Sequence, residues 1–124
     1  MHERFESNGT ISQAVLAGDV LHVAGQIAVD EAGDLVGPGN AEVQAEQAIE
    51  NLRRVVEGAG MTMADIVILR CFLTHADHYP AYAAAKRRYF TDAPPAGTAV
   101  IVSALLLEGA LMEVEAVAIR QTPT

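Results

Sequence analysis

The chain has 124 residues, 51% of them hydrophobic and 19% charged, a balance that fits one globular domain with its own core and excludes a disordered chain. Eight Lys and Arg against sixteen Asp and Glu leave a net charge of −8, which argues against nucleic-acid and membrane partners, since both surfaces recruit positive charge. Cys71 is the one cysteine, which excludes an intrachain disulfide and a cysteine-ligated zinc site.

No apolar run approaches the roughly 18 residues of a membrane span, and the opening MHERFESNG lacks the apolar core of a signal peptide. The expectation is a single cytoplasmic domain over residues 1–124, with no metal or organic cofactor.

In chain order, a first strand is expected around Ser12–Leu16 and a second over Val20–Val29, separated by the Gly18-Asp19 turn. Asp30-Glu31-Ala32-Gly33-Asp34 reads as a polar turn, and Gly37-Pro38-Gly39-Asn40 breaks the chain again, with Asn40 placed to cap a helix. From Ala41 to Glu57 the apolar positions Ala45, Ala48, Ile49, Leu52, Val55 and Val56 form one buried helical face. Gly58 and Gly60 supply its stop. A strand over Ile66–Thr74 follows, then a helix from Tyr79 to Phe90 whose stripe is Tyr82, Ala83, Lys86, Tyr89 and Phe90. Pro80 suits the first turn of that helix, where its missing N–H costs nothing. After the stiff Asp92-Ala93-Pro94-Pro95 connection come strands over Thr98–Leu107 and Leu111–Ile119, read as a hairpin about Glu108-Gly109.

The order β-β-α-β-α-β-β predicts an α+β layer with two helices on one face of a sheet. Alternation assigns the faces. Met112, Val114, Ala116 and Ala118 should meet the helices, as should Val67, Leu69, Cys71 and Leu73. The opposite face would carry Glu113 and Glu115, with Ile68, Arg70 and Phe72 from the neighbouring strand. A face that mixes large apolar groups with charges reads as an interface.

Gly9 with Ser12-Gln13-Ala14, then Val23-Ala24-Gly25-Gln26-Ile27, Pro95-Ala96-Gly97, and Met112-Glu113-Val114-Glu115-Ala116-Val117-Ala118 form an ordered set. In that order and spacing the chain resembles the YjgF/RidA family of small trimeric enamine/imine deaminases, over essentially its whole length. The resemblance implies a chorismate-mutase-like fold, a homotrimer with a central β-barrel, and ligand clefts between adjacent subunits. It further implies hydrolysis of reactive 2-imino or 2-enamino acids to 2-keto acids and ammonia. In the family an arginine after Pro-Ala clamps the substrate carboxylate, as a guanidinium suits. The first glutamate of Glu-x-Glu positions the attacking water, and backbone of the Gly-Gln segment assists.

Carried over by position, Gly25 and Glu113 match, whereas the clamp position is Gly97. Ile11 stands where the family has a tyrosine, Ala24 where it often has serine, Ala83 where the second helix contributes an asparagine, and Ala99 where a small polar residue or cysteine follows the clamp. Without a side chain at Gly97 the cleft should be wider and less polar. Glu113 is the candidate catalytic residue, the alternative being a carboxylate solvated within a trimer channel. The candidate substrate-binding set is Gly25, Ile11, Ala24, Ala83, Gly97, Ala99 and Arg70.

Arg70 could replace the missing clamp or pair with Glu113 or Glu115. His22 could approach the cleft or be a bonded interface histidine. His75, Asp77 and His78 lack the shared face of a metal site, Cys71 reads as a buried inert thiol, and the Arg53-Arg54 and Lys86-Arg87-Arg88 clusters read as solvated helix faces. Two functions follow: a small-molecule protein that binds or acts on a reactive imine, enamine or carbonyl metabolite without being a standard 2-imino-acid deaminase, or a non-catalytic ligand-binding or partner-regulating trimer.

Overall fold

The computed structural model describes residues 2–121. Six strands and two helices follow one another as β1 (Glu3–Phe5), β2 (Ala14–Ala17), β3 (Val20–Gln26), α1 (Ala41–Gly58), β4 (Ile66–Leu73), α2 (Tyr79–Tyr89), β5 (Ala96–Ile101) and β6 (Met112–Ile119). The strands form one mixed sheet in the order β1-β2-β3-β6-β4-β5. All neighbours run antiparallel except β4 and β5, which are parallel. The predicted α+β layer with two helices on the sheet is present, with one strand more than expected because Glu3–Phe5 pairs with Ala14–Leu16.

The hairpin about Glu108-Gly109 does not form. β4 lies between β5 and β6, taking β5 on one edge and β6 on the other. β5 and β6 are separated by the width of β4, which a tight turn cannot span, so residues 102–111 serve as the connection and the strand expected over Thr98–Leu107 gives way to Ala96–Ile101. Gln44 anchors that connection. Its Nε2 donates to the carbonyls of Gly37 and Gly109 at 3.1 Å each, and its Oε1 accepts from the Leu111 N–H at 2.8 Å.

Local chemistry sets the helix ends as expected. The Asn40 side chain accepts from the Val43 N–H at 3.1 Å, closing the start of α1. Gly60 has φ +82° one residue past the C-cap Ala59, a conformation in which glycine carries no Cβ penalty. Pro80 sits in the first turn of α2.

The core lies between helices and sheet. Ala45, Ala48, Ile49, Leu52 and Val56 of α1 pack with Leu21, Leu69, Cys71, Met112, Val114 and Ala118. One assigned position fails. Val67 is exposed and Ile66 is buried in its place, because the β4–β6 register shifts between Ile66 and Ile68 and turns the alternation by one residue. On α2 the buried residues are Tyr82 and Ala85, so the inward stripe is narrower than expected and Ala83 and Lys86 lie at its margin, half-buried.

Candidate functional site

The β3–β6 ladder is regular from Val20 to Val23 and resumes at Gln26, so Ala24 and Gly25 form a bulge. The bulge brings the Gly25 backbone against Glu113: a Cβ at Gly25 would lie 1.7 Å from Glu113 Oε1. Only glycine fits while that carboxyl keeps its place. Glu113 projects from the face of β6 opposite Met112 and Val114, away from the helices, and is half-buried. Burial raises its pKa above the ordinary carboxylate value, and the like charge of Glu115, two residues along the same face, adds to the rise.

The loop before β2 is tied to this bulge. The Ala24 N–H donates to the Gln13 carbonyl at 2.8 Å, and Gln26 Nε2 donates to Gln13 Oε1 at 2.7 Å. Ile11, two residues before Gln13, remains 49% exposed. On the same bare face Ser12, His22, Ala24, Arg70, Glu115 and Val117 line a groove of about 330 Å³. Arg70 and Glu115 are opposed in the β4–β6 register, with Nη1 3.6 Å from Oε1. Of the two readings of Arg70, the ion pair with Glu115 is the one formed within this chain.

Gly97, Ala99 and Ala83 fall elsewhere. Gly97 and Ala99 on β5 are paired with Leu69 and Cys71, whose side chains face the helices. A Cβ at Gly97 would meet Lys86 Nζ of α2 at 2.5 Å. The space beside Gly97 therefore holds the end of the Lys86 side chain. Tyr79, Ala83, Lys86, Arg87, Phe90 and Pro94 line a groove of about 330 Å³ along α2. Lys86 belongs to a Lys-Arg-Arg run that reads from the sequence as a solvated face, although it also falls within the expected stripe of that helix.

The candidate residues thus form two groups in one chain. Gly25, Ala24 and Glu113 belong to the bare sheet face, and Gly97, Ala99, Ala83 and Lys86 to the α2 side of the β5 edge. In the ladder Gly97 is level with Ala116, three residues from Glu113 and two strands away. Strand geometry puts the two backbones roughly 14 Å apart, on opposite faces of the sheet. No small ligand touches both groups within one subunit.

The remaining candidates have local roles. Burial pushes the Cys71 thiol up to about 12, against an opposite pull from Lys86, which leaves it inert at neutral pH. His75 Nδ1 accepts from the Asp77 N–H at 3.0 Å and caps a short turn. Among the described residues no group of three or more His, Cys, Asp or Glu side chains gathers for a metal, and no helix is long and apolar enough to cross a membrane.

A family model described as endoribonuclease L-PSP matches residues 1–120. The chain belongs to this family, the YjgF/RidA proteins. It is 37% identical over 97 residues to a RutC family protein of Saccharolobus solfataricus, covering 78% of this chain and 77% of that one. It is 30% identical over 112 residues to the 2-iminobutanoate/2-iminopropanoate deaminase of Capra hircus, covering 90% and 81%. Among solved structures, RidA from an Antarctic Psychrobacter superposes with a TM-score of 0.84 at 30% identity, covering 92% of this chain and 91% of that one.

Proposed function

We propose that this protein is a homotrimer whose bare sheet faces close a central β-barrel, and that each seam between subunits takes a small reactive imine, enamine or carbonyl metabolite. The observation that carries the reading is the Glu113 carboxyl, half-buried against the backbone of the Gly25 bulge with its pKa raised. The separation of the two candidate groups supports the oligomer, since a ligand reaching both needs the β5 edge of one copy beside the β3–β6 face of another. All six residues of β5 are exposed in the single chain, Val100 and Ile101 among them, as an edge awaiting a neighbour would be.

For an imine the chemistry is balanced and modest. Water adds to the protonated imine: its oxygen bonds the C=N carbon, the π pair goes to nitrogen, and Glu113 takes the water's proton. Glu113 then returns that proton to the nitrogen of the amino alcohol, the C–N bond breaks to release ammonia, and the hydroxyl gives its proton to solvent to leave the carbonyl. The deaminase named among the relatives supports this reaction class. The family model's description names RNA cleavage instead, but a net charge of −8 disfavours a polyanionic substrate. A non-catalytic binder is the second reading, favoured by the apolar or absent side chains at Ile11, Ala24, Ala83, Gly97 and Ala99.

The test is ammonia release from a panel of freshly generated imines and enamines, among which 2-imino acids are not expected to be the best substrates because the clamp position is Gly97. The wild-type rate is expected above buffer, and Glu113→Gln to lower the enzymatic part at least about tenfold. A wild-type rate equal to buffer overturns catalysis and leaves the binder.

A further inference from the structure

Beside α1, two adjoining grooves share Asp30, Glu31 and Arg54. One of them, about 470 Å³, lies between α1, the loop after β3 and the loop after β1. Asn51 builds its wall. This residue is 2% exposed, and each of its polar atoms is used. Its Nδ2 donates to the Ile27 and Val29 carbonyls at 2.8 and 2.9 Å, and its Oδ1 accepts from Gln47 Nε2 at 2.8 Å and from Arg54 Nη2 at 3.0 Å. The Arg54 guanidinium is thereby tethered at the groove. Arg53, one residue earlier, pairs with Glu50 and Glu57. Arg54 forms no ion pair among the described residues, although Glu6, Asp30 and Glu31 line the same groove.

Gln26 also lines this groove and is 8% exposed. Its Nε2 spends both hydrogens, on Gln13 Oε1 at 2.7 Å and on the Ala24 carbonyl at 3.1 Å, whereas its Oε1 accepts no hydrogen bond among the described residues. That oxygen is not sealed in the core as the unpaired Tyr82 hydroxyl is, so it opens on the groove. Gln26 stands opposite Val114, a core residue, and therefore on the side of the sheet away from Glu113. A buried acceptor without a donor is costly, and a ligand N–H would remove that cost.

We propose that this groove binds a free aliphatic α-amino acid as its zwitterion, with the carboxylate on Arg54, the ammonium on Gln26 Oε1 inside the acidic rim, and the side chain along Val29 and Val55. A guanidinium tethered at one Nη2 keeps its other donors for a carboxylate. An ammonium brings three donors, enough for the buried amide oxygen and for carboxylates beside it. Three carboxylates against one guanidinium disfavour a purely anionic ligand and favour one that carries its own positive charge. A plain amine would leave Arg54 unpaired, and a plain carboxylic acid would leave Gln26 Oε1 unpaired. The site is built within one chain, so it depends neither on the trimer nor on turnover at Glu113.

The experiment is calorimetric titration of L-leucine into the wild type, Arg54→Ala, the double variant Glu6→Gln/Glu31→Gln, and Glu113→Gln, with thermal melts on each to confirm the fold. Two further ligands, 4-methylpentanoate and 3-methylbutylamine, keep the carbon chain but lack the ammonium and the carboxylate in turn. Wild type should bind leucine at least about tenfold more tightly than either of them, and Arg54→Ala should lose at least about tenfold of its leucine affinity, the worth of one charge-assisted contact. The double acid variant should weaken leucine at least about threefold, as exposed charges contribute less. Glu113→Gln should bind leucine as wild type does. A wild type that takes up no leucine overturns the proposal, as does wild-type affinity in Arg54→Ala or equal affinity for 4-methylpentanoate. Leucine binding lost in Glu113→Gln would put the ligand at the Glu113 site and overturn it too.

Discussion

The two faces of the sheet come from the same strands, yet one is finished and the other is open. On the helix side of β6, Met112, Val114, Ala116 and Ala118 are 0–2% exposed. On the other side, one residue along, Glu113 and Glu115 stand half-buried beside Arg70, and β5 is exposed over its whole length. A single chain can satisfy an apolar face by folding helices onto it. The mixed face is left open by the single chain, and on the proposed reading a second copy covers it. The difference separates residues that hold the fold from residues that wait for a ligand or a neighbour.

Substitutions on the two faces should differ in size accordingly. Met112→Ala, at a site with no exposure, empties part of the covered core and should cost about 2–5 kcal/mol in denaturant melts. Arg70→Ala removes an ion pair whose side chains are 41% and 36% exposed, and should cost at most about 1 kcal/mol in the same melts. A loss at Arg70 as large as that at Met112 would break the contrast.

Glu113→Gln is the smallest expected effect on stability and the only one expected to stabilise. Folding raises the pKa of Glu113, so between the ordinary glutamate value and the raised one the native state holds more protons than the unfolded chain. Stability therefore falls as pH rises through that window. Once the carboxyl is ionised, Glu113→Gln should be slightly more stable than wild type, by no more than about 2 °C in melting temperature. The gain should vanish on acidification below the ordinary glutamate pKa. A variant less stable than wild type at neutral pH would mean that the buried carboxylate is stabilised, not strained, where it sits.

The covered face was legible in the sequence because burial on one side imposes strict alternation. The α1 stripe and the even positions of β6 could be read directly, and so could the Asn40 cap. The errors arose where pairing, not local pattern, decides. The Val67 bulge shifts alternation by one residue, and the parallel partnership of β5 replaces the hairpin that Glu108-Gly109 suggested. At the candidate site, Gly25 and Glu113 were found from the ordered motif, and their contact is explained by a bulge that no periodicity reveals. The contact of Lys86 with the space at Gly97 could not be read, because Gly97 lies eleven residues along the chain and on another element.

The central claim, that Glu113 of one subunit and Lys86 of its neighbour complete one site, can be tested by subunit mixing. Glu113→Gln and Lys86→Met chains are unfolded, mixed in equal amounts, refolded together and assayed for ammonia release from the imine or enamine that wild type turns over, beside each refolded variant alone. With random assembly about a quarter of the seams carry both intact residues. The mixture is predicted to regain about a quarter of wild-type activity while each variant alone stays low. Activity in the mixture no higher than the mean of the two variants would contradict a site shared between subunits.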